Sequence, residues 1–121
     1  MKNNLTLKEL ILSTMVLIKK DNENEYRFKL KAQNGKVLLT SISFSNKKEA
    51  SNTIEYLKSS PSKELSFERK TNFEGKFLYN LKNEHGSLIG HSQLYSSEAG
   101  LENGISNLKR RINSLSEADL L

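Results

Sequence analysis

The sequence predicts an α+β fold in which tandem β-β-β-α repeats form one antiparallel sheet with two helices on one face, related by a pseudo-twofold axis. Two observations predict it. The first is internal repetition: Leu30-Lys31 recurs as Leu81-Lys82, Gly35 as Gly86, Ser41 as Ser92, Ser45 as Ser96, Asn52 as Asn103, Ile54 as Ile105 and Leu57-Lys58 as Leu108-Lys109. All these pairs are 51 positions apart, as Leu30 is from Leu81, with no gap. Conservative matches keep the same frame, among them Tyr26 with Phe77, Phe28 with Tyr79, Val37 with Leu88, Leu38 with Ile89 and Phe44 with Tyr95. The second observation is that the apolar period within each copy changes from that of a strand to that of a helix.

The elements follow in order. Residues 1–14 lie outside the repeat; a single domain spans 15–121, with repeat 1 at about 15–60, repeat 2 at about 65–112 and a short tail. Leu65 and Phe67 alternate with Ser66 and Glu68, a strand whose equivalent is Thr14 to Lys20, where Val16 and Ile18 hold the apolar positions. Tyr26, Phe28, Leu30 and Ala32 alternate with Arg27, Lys29 and Lys31 in a strand with one buried face, and Phe77, Tyr79 and Leu81 repeat the phase. Asn34-Gly35 has the composition of a type I′ hairpin turn, with His85-Gly86 a poorer counterpart. A further strand follows at about Lys36 to Phe44 and Ser87 to Tyr95.

Ala50, Ile54 and Leu57 then recur at helical spacing, and Leu101, Ile105, Leu108 and Ile112 extend that stripe by a turn in the second copy. Asn46 with Glu49 reads as a capping-box variant, Ser96 or Ser97 as the N-cap of the second helix, and Pro61 as the stop of the first. One unit is too small to bury its own stripe, so the copies are expected to share a core filled by the paired aromatic residues. Gly104 sits inside a helix, where glycine costs about 1 kcal/mol relative to alanine; close approach of another element is the expected reason.

Composition narrows the function classes. The chain carries a formal charge of +5 and no cysteine, which removes disulfides, thiolate metal sites and cysteine nucleophiles and fits a reducing compartment. The apolar run Leu10 to Ile18 superficially resembles a leader, but Lys8 and Glu9 interrupt what would be its apolar region, Lys19 and Lys20 follow directly, and no small-x-small pattern ends it. It is also shorter than the roughly 20 residues of a membrane-spanning helix. A cytoplasmic protein without membrane association is expected, monomeric because the duplication supplies an internal pseudo-dimer.

From Phe77 to Ile112, the run Leu81-Lys82, Gly86, Leu88-Ile89-Gly90, Ser92, Tyr95-Ser96-Ser97, Asn103-Gly104-Ile105 and Leu108-Lys109 resembles the YegP-like family of small bacterial tandem-repeat proteins. The first copy resembles it through Phe28, Leu30-Lys31-Ala32, Asn34-Gly35, Val37-Leu38, Thr40-Ser41, Phe44-Ser45, Ala50, Asn52 and Ile54. The resemblance implies a continuous sheet and allows the strand after each helix to be exchanged between halves. It implies no activity, cofactor or catalytic residue. Residues 1–14 depart from the pattern and make Met15 a candidate natural start; the tail with Ala118, Leu120 and Leu121 is short for a closing strand.

Candidate chemistry is sparse. His85 and His91 have no repeated role, and without further ligands a metal site is not expected. The repeated serines Ser41, Ser92, Ser45 and Ser96 lack a nucleophile-elbow pattern, the last two reading as helix caps. Glu49, Glu55, Glu98 and Glu102 fall beside lysines on solvent-facing helix positions, and no phosphate-cradling glycine run occurs. No catalytic, cofactor-binding or metal residue is therefore assigned. Two sets remain. Arg27, Lys29 and Lys31 would project from the open sheet face as an anion or nucleic-acid contact. Asn52 and Asn103 are either a ligand-recognising pair or, as the expected case, structural amides bonded to backbone. The leading expectation is a non-catalytic module that binds a macromolecular partner through its sheet or the groove between halves. Nucleic-acid binding through the basic face comes second, and an enzyme or small-ligand site at the repeat interface third.

Overall fold

A computed structural model describes residues 16–20, 24–59 and 64–118. Strands β1 (Val16–Lys20), β2 (Tyr26–Lys31) and β3 (Val37–Ser41) precede helix α1 (Lys47–Ser59); β4 (Ser66–Thr71), β5 (Phe77–Lys82) and β6 (Leu88–His91) precede helix α2 (Glu98–Ala118). The extension 1–14 and the candidate start Met15 lie outside the described residues. So does the end of the tail, but α2 itself continues past Ile112 to Ala118 and buries Leu115.

All strand pairs are antiparallel, in a six-stranded sheet of order β1-β2-β3-β6-β5-β4. Each three-strand run is a meander, but α1 carries the chain to the far edge, so that β3 meets β6, through Thr40↔His91 and Ser41↔Gly90. Strand β4 pairs with β5, which follows it, so no exchange occurs at the strand after α1. The registers coincide at an offset of 51: Lys29↔Thr40 matches Asn80↔His91, and both ladders shift register at the same place, between Leu30 and Lys31 and between Leu81 and Lys82.

The hairpin turns also differ from the sequence expectation. Ala32 N–H donates to the Lys36 carbonyl at 2.9 Å and Gly35 N–H to the Ala32 carbonyl at 2.9 Å, a three-residue loop in which Gly35, at φ +87°, has the left-handed backbone and Asn34 does not. That is a type I turn followed by a left-handed glycine, not type I′. The dipeptide Asn-Gly suits both. The same bonds recur at Asn83–Gly86 and in a hairpin the sequence reading passed over, Asn72–Gly75.

Both helices start as their caps dictate. Glu49 N–H donates to Asn46 Oδ1 at 2.8 Å, and Gly100 N–H to Ser97 Oγ at 3.0 Å. Ser45 and Ser96 are therefore not the capping residues they were expected to be, and Ser45 supports the first cap only indirectly, through Glu49 Oε2 at 3.3 Å.

The helices pack on each other and both contact β2, so they cover one sheet face. Between them and the sheet lies one core: Phe28 and Leu30 of β2, Leu39 of β3, Tyr79 and Leu81 of β5, Ala50 and Leu57 of α1, and Leu101, Ile105, Leu108 and Ile112 of α2. Burying one such side chain contributes roughly 1.5–3 kcal/mol. Phe28 stacks on Phe44 with ring centroids 6.1 Å apart, and Tyr79 on Tyr95 at 6.2 Å. Tyr79 Oη donates to the Leu38 carbonyl at 2.6 Å, a bond from β5 to β3 inside the core.

Gly104 is explained by this packing. A Cβ there would stand 2.6 Å from Cζ of Tyr95, so the ring lies on α2 only because the side chain is missing.

Candidate functional site: two clefts between helix and hairpin

Strand β3 stops at Ser41 and β6 at His91, earlier than the alternation suggests, with isolated bridges Tyr26↔Phe44 and Phe77↔Tyr95 beyond them. Ser41 and Ser92 cause the break. Ser41 Oγ accepts the Phe28 N–H at 2.9 Å and donates to the Ile42 carbonyl at 2.7 Å; Ser92 Oγ does the same with Tyr79 N–H and the Gln93 carbonyl, at 2.9 and 2.7 Å. Both serines are buried. A hydroxyl thus stands in for a ladder carbonyl, and the chain bends away before each helix.

The bend opens a cleft beside each helix. One, of about 230 Å³, lies between α2 and the β2–β3 hairpin and is lined by Asn34, Lys36, Leu38, Gln93, Tyr95, Asn103, Gly104 and Asn107. The other, of about 320 Å³, lies between α1 and the β5–β6 hairpin and is lined by Ile42, Phe44, Asn52, Thr53, Tyr56, Asn83, Ser87 and Ile89. At the offset of 51 their walls correspond residue by residue: Ile42 with Gln93, Phe44 with Tyr95, Thr53 with Gly104, Tyr56 with Asn107, and Lys36 with Ser87.

Asn52 and Asn103 stand at corresponding places, one in each cleft, and neither of these clefts is lined by both. The structure thus separates the pair. Both are exposed, and among the described residues neither side-chain amide has a hydrogen-bond partner, against the expectation of amides tied to backbone. The reason is their placement on the solvent side of a helix turn, away from any strand end.

Of the basic row, Lys29 is exposed, Arg27 is half-buried with Nη1 donating to the Ser41 carbonyl at 3.3 Å, and Lys31 follows the register shift, half-buried. The three therefore do not form one even row. Lys29 belongs instead to a cross-strand line Lys29, Thr40, His91, Asn80 and Glu68, whose end is an ionic cluster. Glu68 there accepts from Asn80 Nδ2 at 3.1 Å and pairs with Lys82 at 3.3 Å, and these partners hold its carboxyl below the ordinary range. The rings that alternate with the row point inward, Phe28 and Tyr79 being fully buried. Burial pushes the Tyr79 phenol upward, with Tyr95 adding to the effect.

His85 is exposed in its turn beside Glu84, and His91 is exposed on β6 with Nδ1 3.2 Å from the Ser92 carbonyl. Among the described residues no group of three metal-ligating side chains is assembled, and no helix is long and apolar enough to cross a membrane. Glu102 is tied to β4 rather than to neighbouring lysines, accepting from Arg69 Nε at 2.6 Å and Nη2 at 2.9 Å.

Comparison with known proteins places this architecture. The profile of a domain of unknown function, DUF1508, matches residues 21–64 and 74–113. The chain is 38% identical over 92 residues to the UPF0339 protein YegP of Escherichia coli, spanning 76% of this chain and 84% of that protein. The solution structure of the E. coli protein of unknown function yegP superposes with a TM-score of 0.72 at 37% identity, covering 81% of this chain and 84% of that one. A UPF0339 protein from Shewanella oneidensis gives 0.68 at 33% identity, covering 77% and 79%. With profile, sequence and fold in agreement, the chain belongs to the DUF1508 family, alongside the UPF0339 YegP proteins.

Proposed function

We propose that the protein is a non-catalytic binding module made by tandem duplication. Two β-β-β-α units related by a pseudo-twofold axis each place a helix against the other's hairpin, and the clefts so formed are where it binds. Support for the duplication comes from registers, caps, buried serines and stacked ring pairs that all coincide at one offset. Support for binding rests on one observation: among the described residues the two repeated asparagine amides have no hydrogen-bond partner, and each lines one of the corresponding clefts. An amide offers two donors and an acceptor, the usual means of fixing a ligand's orientation in a small concave site.

Short clefts, each walled by one helix and one hairpin, favour a small molecule over an extended macromolecular surface. We read the protein as monomeric, since its core closes within one chain, and as cytoplasmic, since it lacks cysteine. Nucleic-acid binding through the open sheet face is the second reading. Lys29, Lys70 and Lys82 favour it, and the inward direction of the aromatic rings weighs against it, because single-strand binders stack bases on exposed rings.

The test is equilibrium dialysis of the protein against a small-molecule extract of cells, followed by mass spectrometry of what is retained. A compound held at stoichiometric level by the parent chain and released by Asn52→Ala or Asn103→Ala is expected. Retention of nothing, or retention indifferent to both substitutions, would contradict the reading.

A further inference from the structure

The two clefts occupy corresponding places but differ in charge. The wall at Asn52 is uncharged, with Ile42, Tyr56, Asn83 and Ser87. The cleft at Asn103 carries Lys36 and continues into a second hollow, of about 360 Å³, that shares Asn34, Leu38 and Asn107 and adds Arg110 and Arg111. Among the described residues, no carboxylate lines either part of this continuous groove.

The groove is also rich in unspent donors. Asn34 Oδ1 already accepts the Lys36 N–H at 3.0 Å, and Asn107 Oδ1 accepts from Arg110 Nη2, so the amide NH2 groups are the parts of these side chains left over. Arg111 Nη1 donates to Ser114 Oγ at 3.0 Å, while its Nε is buried with no partner among the described residues, an exception among buried polar atoms. Donors, cations and no acid together describe a receptor for an oxyanion.

We propose that the groove from Asn103 to Arg111 binds a phosphate-bearing small molecule, with Lys36, Arg110 and Arg111 on the phosphate and the asparagine amides orienting the remainder. The inference deepens the cleft reading and rests on it. A small molecule is favoured over a polymer because the groove is short, confined to one hairpin and one helix, whereas a nucleic-acid backbone is tracked by an extended basic surface. Burial depresses the Arg111 guanidinium, a penalty that a bound anion would offset.

The experiment is a titration of the 15N-labelled chain with inorganic pyrophosphate, with citrate and a short single-stranded oligonucleotide as separate arms. Saturable shifts are expected in the side-chain amides of Asn34, Asn103 and Asn107 and in Arg111 Nε–H, with Asn52 and Asn83 unmoved. Arg110→Gln, an exposed change that leaves the fold's spectrum intact, should weaken pyrophosphate by about tenfold or more, as expected for loss of a charge-assisted contact. Absence of saturation by roughly 20 mM, an affinity too weak for a built site, would overturn the proposal. So would shifts centred on Lys29 and Lys82, or a response to citrate or oligonucleotide that exceeds that to pyrophosphate. Failure of this inference is separable from failure of the cleft reading: a compound retained in dialysis and released by Asn103→Ala but not by Arg110→Gln would sink only the phosphate assignment.

Discussion

Ser41 and Ser92 carry more of the fold than their size suggests. Each hydroxyl serves a buried strand N–H, that of Phe28 or Tyr79, which the interrupted ladder cannot serve. Ser41→Ala or Ser92→Ala leaves that donor unsatisfied, at a cost of about 1–3 kcal/mol; urea denaturation of each variant measures it, and an unchanged midpoint would show that another acceptor takes over. Repetition makes these serines visible in the sequence, but their role depends on where two strands part, and no local pattern encodes that. Gly104 shows the same divide. A helical glycine announces a close neighbour, yet the identity of that neighbour, Tyr95, follows only from the packing. At Asn34-Gly35 the dipeptide locates the turn but leaves its type to the hydrogen bonds of Ala32.

Elements were more legible than their arrangement. Strand alternation and the Asn46 and Ser97 caps are local properties, and they emerge where the pattern puts them. The position of β4 at the far edge is decided by how α1 crosses the sheet, which periodicity does not encode. That edge is tethered electrostatically, Arg69 to Glu102 on α2 and Glu68 to Asn80 and Lys82 on β5. The Arg69 bond holds the Glu102 carboxyl below the ordinary range, and Glu68 is lowered likewise by Asn80 and Lys82. Both folded values lie below the unfolded ones, so the folded chain binds these protons less readily. Their contribution is fully present above about pH 4.3, the unfolded value for glutamate, and is lost as pH falls through the folded values. Denaturation at pH 5.5 and 3.5 should show a lower midpoint at the acid end, and the difference should shrink in Glu68→Gln and Glu102→Gln. An equal or larger difference in those variants would show that other groups carry the effect.

The described residues enclose a single core, and on either side of it a helix and the β2–β3 or β5–β6 hairpin leave a cleft. The shared interior was readable from the paired rings and the common offset. The clefts were not, because they arise from combining a helix of one segment with a hairpin of the other. Asn52 and Asn103 drew notice as repeated polar residues, but whether they serve the fold or a ligand turns on a bond that a sequence cannot display. Since neither amide is engaged among the described residues, the fold should be indifferent to its removal. Urea denaturation of Asn52→Ala, Asn103→Ala and the double variant tests this most directly. Each single variant should lie within about 0.5 kcal/mol of the parent or slightly above it, as for exposed helix positions where alanine is the better former. A loss of roughly 1.5 kcal/mol or more at either site would mean that these amides hold the structure together, and the case for recognition at the clefts would fall with it.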